Sequence, residues 1–237
     1  MNSLTNQIAV VTGASSGIGK AIAIALGNAG ATVCVMGRRE SELQKVASSF
    51  SRARVYPSDL ARDEDISQVA QSIANEFGRI DILVHSAATY LRDPLDFANV
   101  EDMDAMYRAN LRAPFLLTQK LIPMLKKPKG SVVFINSRSG VVATPNVGHY
   151  SAMKHGLKGL ADAFRDELND EGIRFTSIYL GRVATPTQKI AHERDGKPYR
   201  PERLLQPDDV AHVVLCAVTL PWTAELTDIH LRHMMKP

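Results

Sequence analysis

The stretch IAVVTGASSGIGKAIAIALGN, residues 8–28, decides the fold. A short β-branched run (8–11) leads through a glycine-rich turn directly into a helical run (18–28). Glycines accept backbone torsions and close approaches that a Cβ forbids, so the turn Thr12-Gly13-Ala14-Ser15-Ser16-Gly17-Ile18-Gly19 can aim its amides and a helix N-terminus at a pyrophosphate. A strand, a phosphate cradle and a crossover helix are the opening unit of a dinucleotide-binding sheet. The spacing is Gly-x3-Gly-x-Gly. A P-loop is disfavoured, because Ala21 follows Lys20 where a magnesium-binding hydroxyl is needed.

The same alternation continues along the chain. Strands are expected over 32–36, 54–56, 82–85, 131–135, 175–180 and 226–231, with helices over 40–48, 63–77, 100–126 (in two pieces), 151–169 and 207–220. Parallel strands with right-handed crossovers and helices on both faces make a doubly wound α/β sheet, Rossmann-like, with ligands at the carboxyl ends of the strands. At 237 residues, against a soft figure of about 150 per domain, one domain over 1–237 is expected. The polar stretch 181–206, carrying Pro186, Pro198 and Pro201, reads as a long irregular lid over the substrate.

Composition narrows the function. Hydrophobic residues make up 45% and charged residues 22%, enough for a core and too apolar for a disordered chain. A net charge of +3 gives no strong field, so neither nucleic acid nor a membrane surface is an expected partner. Cys34 and Cys216 lack disulfide or zinc spacing, residues 1–7 carry no leader pattern, and no apolar run nears the roughly 18 residues of a membrane span. The reading is a soluble, cytoplasmic protein. The seven histidines show no metal geometry, and no metal is expected.

Two further patterns carry chemistry. The second strand ends Met36-Gly37-Arg38-Arg39 where a carboxylate would bind the ribose of NAD, and guanidinium there suits a 2′-phosphate. Tyr150 and Lys154 lie four apart on one helix face, with Ser137 thirteen residues earlier just past a strand. A phenol is a poor acid or base near neutrality unless a neighbouring ammonium favours phenolate, which makes Lys154 the expected tuner. Ser137 can orient a carbonyl oxygen while Tyr150 protonates it. His149, Arg138, Arg182, Gln188, His192 and Tyr199 are pocket candidates by position.

These motifs, in this order and spacing, resemble the short-chain dehydrogenase/reductase family over nearly the whole chain. The resemblance implies Tyr150 as general acid/base and Ser137 as the group positioning the substrate oxygen. Lys154 would bind the nicotinamide ribose, and Asn110 would hold a water of the proton relay. It implies cofactor contacts at Gly13, Ser15, Ser16, Gly17, Ile18 and Gly19, at Arg38 and Arg39, at Asp59 with Leu60 near the adenine, at Ala87, and at Val183 and Thr185 near the carboxamide. The implied activity is carbonyl reduction, or the reverse, with NADP(H) preferred over NAD(H). A non-catalytic NADP(H)-binding or redox-sensing protein is the alternative, and a methyltransferase on a related sheet is disfavoured by the missing ribose acid. The family's Asn-Asn-Ala-Gly reads His85-Ser86-Ala87-Ala88 here, its Pro-Gly reads Leu180-Gly181, and Ser16 stands where a second basic residue is common. The family's Val-Asp-Gly-Gly tail is also missing. The apolar faces of 111–126 and 151–169 point to a homodimer or homotetramer. The substrate is a small-molecule carbonyl or alcohol whose identity lies in the loops 89–96 and 181–206.

Overall fold

A computed structural model describes residues 3–235. Seven parallel strands lie in the order β3-β2-β1-β4-β5-β6-β7. They span Ile8–Thr12 (β1), Thr32–Gly37 (β2), Ala53–Pro57 (β3), Ile82–His85 (β4), Ser131–Ser137 (β5), Arg174–Leu180 (β6) and Asp228–Leu231 (β7). The order reverses between β1 and β4, so the loops leaving these two strands diverge and open a crevice at their carboxyl ends.

Alternate strand residues feed opposite faces, as a pleated strand requires. Ala9, Val11, Val33 and Val35 pack beneath helices α1 (Gly17–Asn28), α2 (Glu40–Ala47) and α8 (Pro207–Val218). Val10, Cys34, Met36 and Phe134 pack beneath α3 (Asp63–Phe77), α5 (Ala113–Lys126) and α6 (Gly148–Leu168). Both faces are therefore covered, which is why the strands read as near-continuous apolar runs.

Two expectations change. The helix expected in two pieces over 100–126 is one continuous run: α4 (Val100–Tyr107) passes through a π-helical turn, Arg108–Arg112, into α5. Pro114 explains the wide turn. It has no N–H for the carbonyl of Asn110 four residues back, and its ring would press on that carbonyl in a regular helix.

The stretch 181–206, expected to be irregular, holds α7 (Pro186–Arg194) and a 3₁₀ turn at Pro201–Arg203. Thr185 caps α7 by accepting from the Gln188 N–H at 3.2 Å, and Pro186 stands at the first helical position. The ends of the stretch are joined: Ala184 N–H donates to Leu205 at 2.7 Å and Leu205 N–H to Arg182 at 3.1 Å. It is a tied loop with its own helix. Among the described residues no helix is long and apolar enough to cross a membrane.

Candidate active site

A cleft of about 1150 Å³ runs along the carboxyl edge of the sheet. Its floor at one end is the glycine turn. Gly13 has φ +67°, and a Cβ there would lie 2.8 Å from the Ala87 backbone; at Gly19 a Cβ would lie 2.4 Å from the Gly13 carbonyl oxygen. Side chains on this cradle would fill it, so the backbone itself is presented to the cleft, as a bound pyrophosphate needs. The Thr12 hydroxyl locks the cradle to the turn after β4, accepting from the N–H groups of Ser86 (3.0 Å) and Ala87 (3.1 Å). The altered tetrapeptide His85-Ser86-Ala87-Ala88 is thus held in register. His85 points away from the cleft, bonded to Thr118 Oγ1 at 2.8 Å and stacked on Phe134, and burial pushes its pKa down to about 3.

The cationic wall differs in detail from the sequence reading. Arg38 is exposed at the cleft and makes no side-chain hydrogen bond or ion pair among the described residues. Arg39 instead donates to the hydroxyls of Ser15 (3.1 Å) and Ser16 (2.9 Å). The glycine turn lacks a basic residue of its own, yet Arg39 brings a guanidinium to it. Asp59 and Leu60 line the next part of the wall, where one Asp59 oxygen accepts from the Ala61 N–H at 3.0 Å.

At the other end stand Ser137, Tyr150 and Lys154. Ser137 is the last residue of β5, and its hydroxyl accepts from the Ser139 N–H at 3.1 Å. Tyr150 and Lys154 sit in the first two turns of α6, both buried. Lys154 Nζ donates to the Ile135 carbonyl at 3.0 Å, and Asn136 Nδ2 donates to the Lys154 carbonyl at 3.2 Å, stitching α6 to β5. Burial pushes the Tyr150 phenol up to about 12, against a lowering by hydrogen bonding with Ser137. Burial also pushes Lys154 down to about 8. The expected tuning of Tyr150 by Lys154 is therefore not what dominates in this structure: the ammonium lies 5.8 Å from the ring centroid, and loss of water outweighs it.

Every cofactor-binding residue read from the sequence lines this cleft, including Ala87, Val183 and Thr185, and so do Ser137, Tyr150 and Lys154. Asn110 does not. Buried on the π turn, it spends its side-chain amide on Thr89, accepting from the N–H at 2.7 Å and donating to the carbonyl at 2.8 Å. That amide positions the loop after β4. Arg138, Arg182, Gln188 and His192 line the cleft, whereas Tyr199 packs edge-on against His192 and His149 lies outside.

The sequence reading missed Tyr90, whose ring meets Tyr150 edge-on with centroids 4.9 Å apart. It also missed two ion pairs at the cleft mouth, Arg92 with Asp195 and Arg194 with Asp93, the second at 3.3 Å. These partners lie about a hundred residues apart, so no local spacing could have announced them.

An open crevice at a strand-order reversal, with a glycine cradle at one end and a Ser-Tyr-Lys corner at the other, is the arrangement of an oxidoreductase of the doubly wound class. The comparisons agree: a family model described as short chain dehydrogenase matches residues 7–196, and the chain belongs to that family. An uncharacterized oxidoreductase of Staphylococcus aureus (strain MW2) is 34% identical over 98% of this chain and 99% of its own. An alcohol dehydrogenase from the archaeon Thermococcus sibiricus, complexed with 5-hydroxy-NADP, superposes with a TM-score of 0.87 at 26% identity, covering 98% of each chain. A 3-ketoacyl-(acyl-carrier-protein) reductase from Brucella melitensis, complexed with NADH, shares the fold with a TM-score of 0.87 at 24% identity, covering 97% of this chain and 98% of its own.

Proposed function

We propose that the protein is an NADPH-dependent carbonyl reductase, which also runs the reverse alcohol oxidation. One observation carries the reading: a phenol, a hydroxyl and an ammonium converge in a buried corner of the cleft that the glycine cradle floors. When bound along the cradle, NADP(H) would supply or take up the hydride at the carbonyl carbon. Burial favours the protonated phenol of Tyr150, which gives its proton to the substrate oxygen as negative charge develops there. Ser137 orients that oxygen, and Lys154, fixed by the Ile135 carbonyl, holds the nicotinamide ribose. Gly13, Ser15, Ser16, Gly17, Ile18 and Gly19 hold the pyrophosphate, Asp59 and Leu60 the adenine, and Val183 and Thr185 the carboxamide. Related structures carry NADP, NADPH or an NADP analogue, and one carries NADH, so cofactor choice rests on this chain's own residues. Gly37 brings no carboxylate, and Arg38 and Arg39 meet the 2′-phosphate.

The test is an NADPH-oxidation screen over carbonyl classes with purified wild-type protein and Tyr150→Phe. Phenylalanine keeps the ring and removes the proton, so NADPH binding is retained while turnover falls by about two to four decades. Full activity in the variant would refute the role of Tyr150. Tight NADPH binding with no turnover of any carbonyl would favour the non-catalytic, redox-sensing alternative.

A further inference from the structure

The substrate end of the cleft has an uneven charge that the reductase chemistry does not use. Arg92, Arg138, Arg182 and Arg232 line it, with Asp195 as the acid at that end. Asp195 is engaged by Arg92 and by Lys197 at 3.7 Å, and the neighbouring Arg194 is engaged by Asp93. Arg138, Arg182 and Arg232 have no carboxylate partner among the described residues. Arg182 follows Leu180, the register partner of Ser137, by two residues, and its carbonyl is held by the Leu205 N–H at 3.1 Å. It leaves the end of β6, and its charge is felt at the phenol of Tyr90, the ring that rests edge-on against Tyr150. Val142, Pro145 and Val147 add apolar surface to the cleft lining.

We propose that the carbonyl substrate is an oxo acid: an apolar body against Val142 and Val147, its carbonyl at Tyr150, and its anionic group paired with Arg182. A guanidinium that lines the cleft without a carboxylate partner gains from a bound anion more than from water, because the ligand displaces solvent and fits the planar fork. Arg92 is already paired with Asp195, whereas Arg182, like Arg138 and Arg232, is left without a carboxylate among the described residues. A neutral carbonyl compound forgoes this contact. The inference rests on the carbonyl-reductase reading and names the substrate class for that same site.

The experiment compares 3-, 4- and 5-oxo carboxylic acids with their methyl esters by NADPH oxidation at low and high salt. The acids are expected to exceed the esters in kcat/KM by about tenfold or more, the worth of one charge-assisted hydrogen bond, and salt should narrow the gap. Arg182→Gln should abolish most of the acid preference, Arg182→Lys should keep part of it, and the NADPH dissociation constant should hold steady in both. An acid-to-ester ratio of one or less in the wild type overturns the proposal. So does an Arg182→Gln variant that loses NADPH affinity and keeps the ratio, since the arginine would then serve the cofactor phosphates. Calorimetric titration with pentanoate and octanoate gives a readout without turnover. Arg182-dependent binding in a protein that reduces no carbonyl would uphold the anion site and refute the reductase reading, whereas turnover of esters with no carboxylate binding would do the reverse.

Discussion

Replacing Gly13 by alanine tests the cradle most sharply. The residue has φ +67°, where an L side chain costs roughly 1–2 kcal/mol. The added Cβ would also stand 2.8 Å from both the Cα and the N of Ala87, and these are backbone atoms that cannot rotate aside. Moving Ala87 away pulls its N–H from Thr12 Oγ1, now at 3.1 Å, and drags the neighbouring Ser86 bond with it, at about 1 kcal/mol for each. The sum is about 3–4 kcal/mol, a large share of the stability of any single domain. Urea unfolding followed by circular dichroism measures it, with NADPH binding read in parallel and expected to weaken. Gly159→Ala is the control: exposed in α6 with nothing within 4 Å of its new methyl, it should gain up to about 1 kcal/mol from helix propensity. A Gly13→Ala protein with the wild-type urea midpoint and wild-type NADPH affinity would refute the reasoning, because the turn would then have to tolerate a contact this short.

Three other outcomes are expected. Wild-type protein should prefer NADPH over NADH in kcat/KM, and Gly37→Asp with Arg38→Leu should reverse the order, the phosphate contact being worth about one to two decades; equal efficiency with both cofactors in the wild type would reduce the two arginines to solvated charges. His85, held neutral down to about pH 3 when folded, takes up a proton near pH 6.5 when unfolded, so its contribution is complete above that value and is lost as pH falls. Between about pH 7 and 5 the wild type should lose about 2 kcal/mol more than His85→Asn, and parallel stability curves for the two would contradict the burial account. Light scattering at micromolar concentration should show a dimer or tetramer, because Phe97, Val100, Met103, Tyr107 and Phe115 leave a broad apolar surface along 97–115; a monomer would remove that reading.

The sheet was legible because its strands are buried on both faces and so stand out as β-branched runs, and its crevice because glycines mark where a backbone must come close. Ends were less legible. β5 runs two residues past the expected Ile135, so Ser137 is the last residue of the strand rather than a residue of the loop. α6 begins at Gly148, three residues early, and carries Tyr150 in its first turn. α7 was invisible to periodicity, since PTQKIAHER has little apolar face, and its signal was the Thr185-Pro186 pair at its start. The contact of Asn110 with Thr89 was not legible, because only the tertiary fold brings that amide to the loop after β4.

The π turn at Arg108–Arg112 amounts to one residue inserted into an otherwise regular helix. Each residue advances a helix by about 100°, so the insertion shifts the phase between α4 and α5 by that angle and swings Asn110 inward beneath Thr89. A chain shortened by one residue here would press the Pro114 ring on the turn before it and lose the grip on the loop that carries Tyr90 and Arg92. Length at this point is thus a determinant of the substrate end in its own right, one that residue-by-residue substitution cannot reach and a single-codon deletion can.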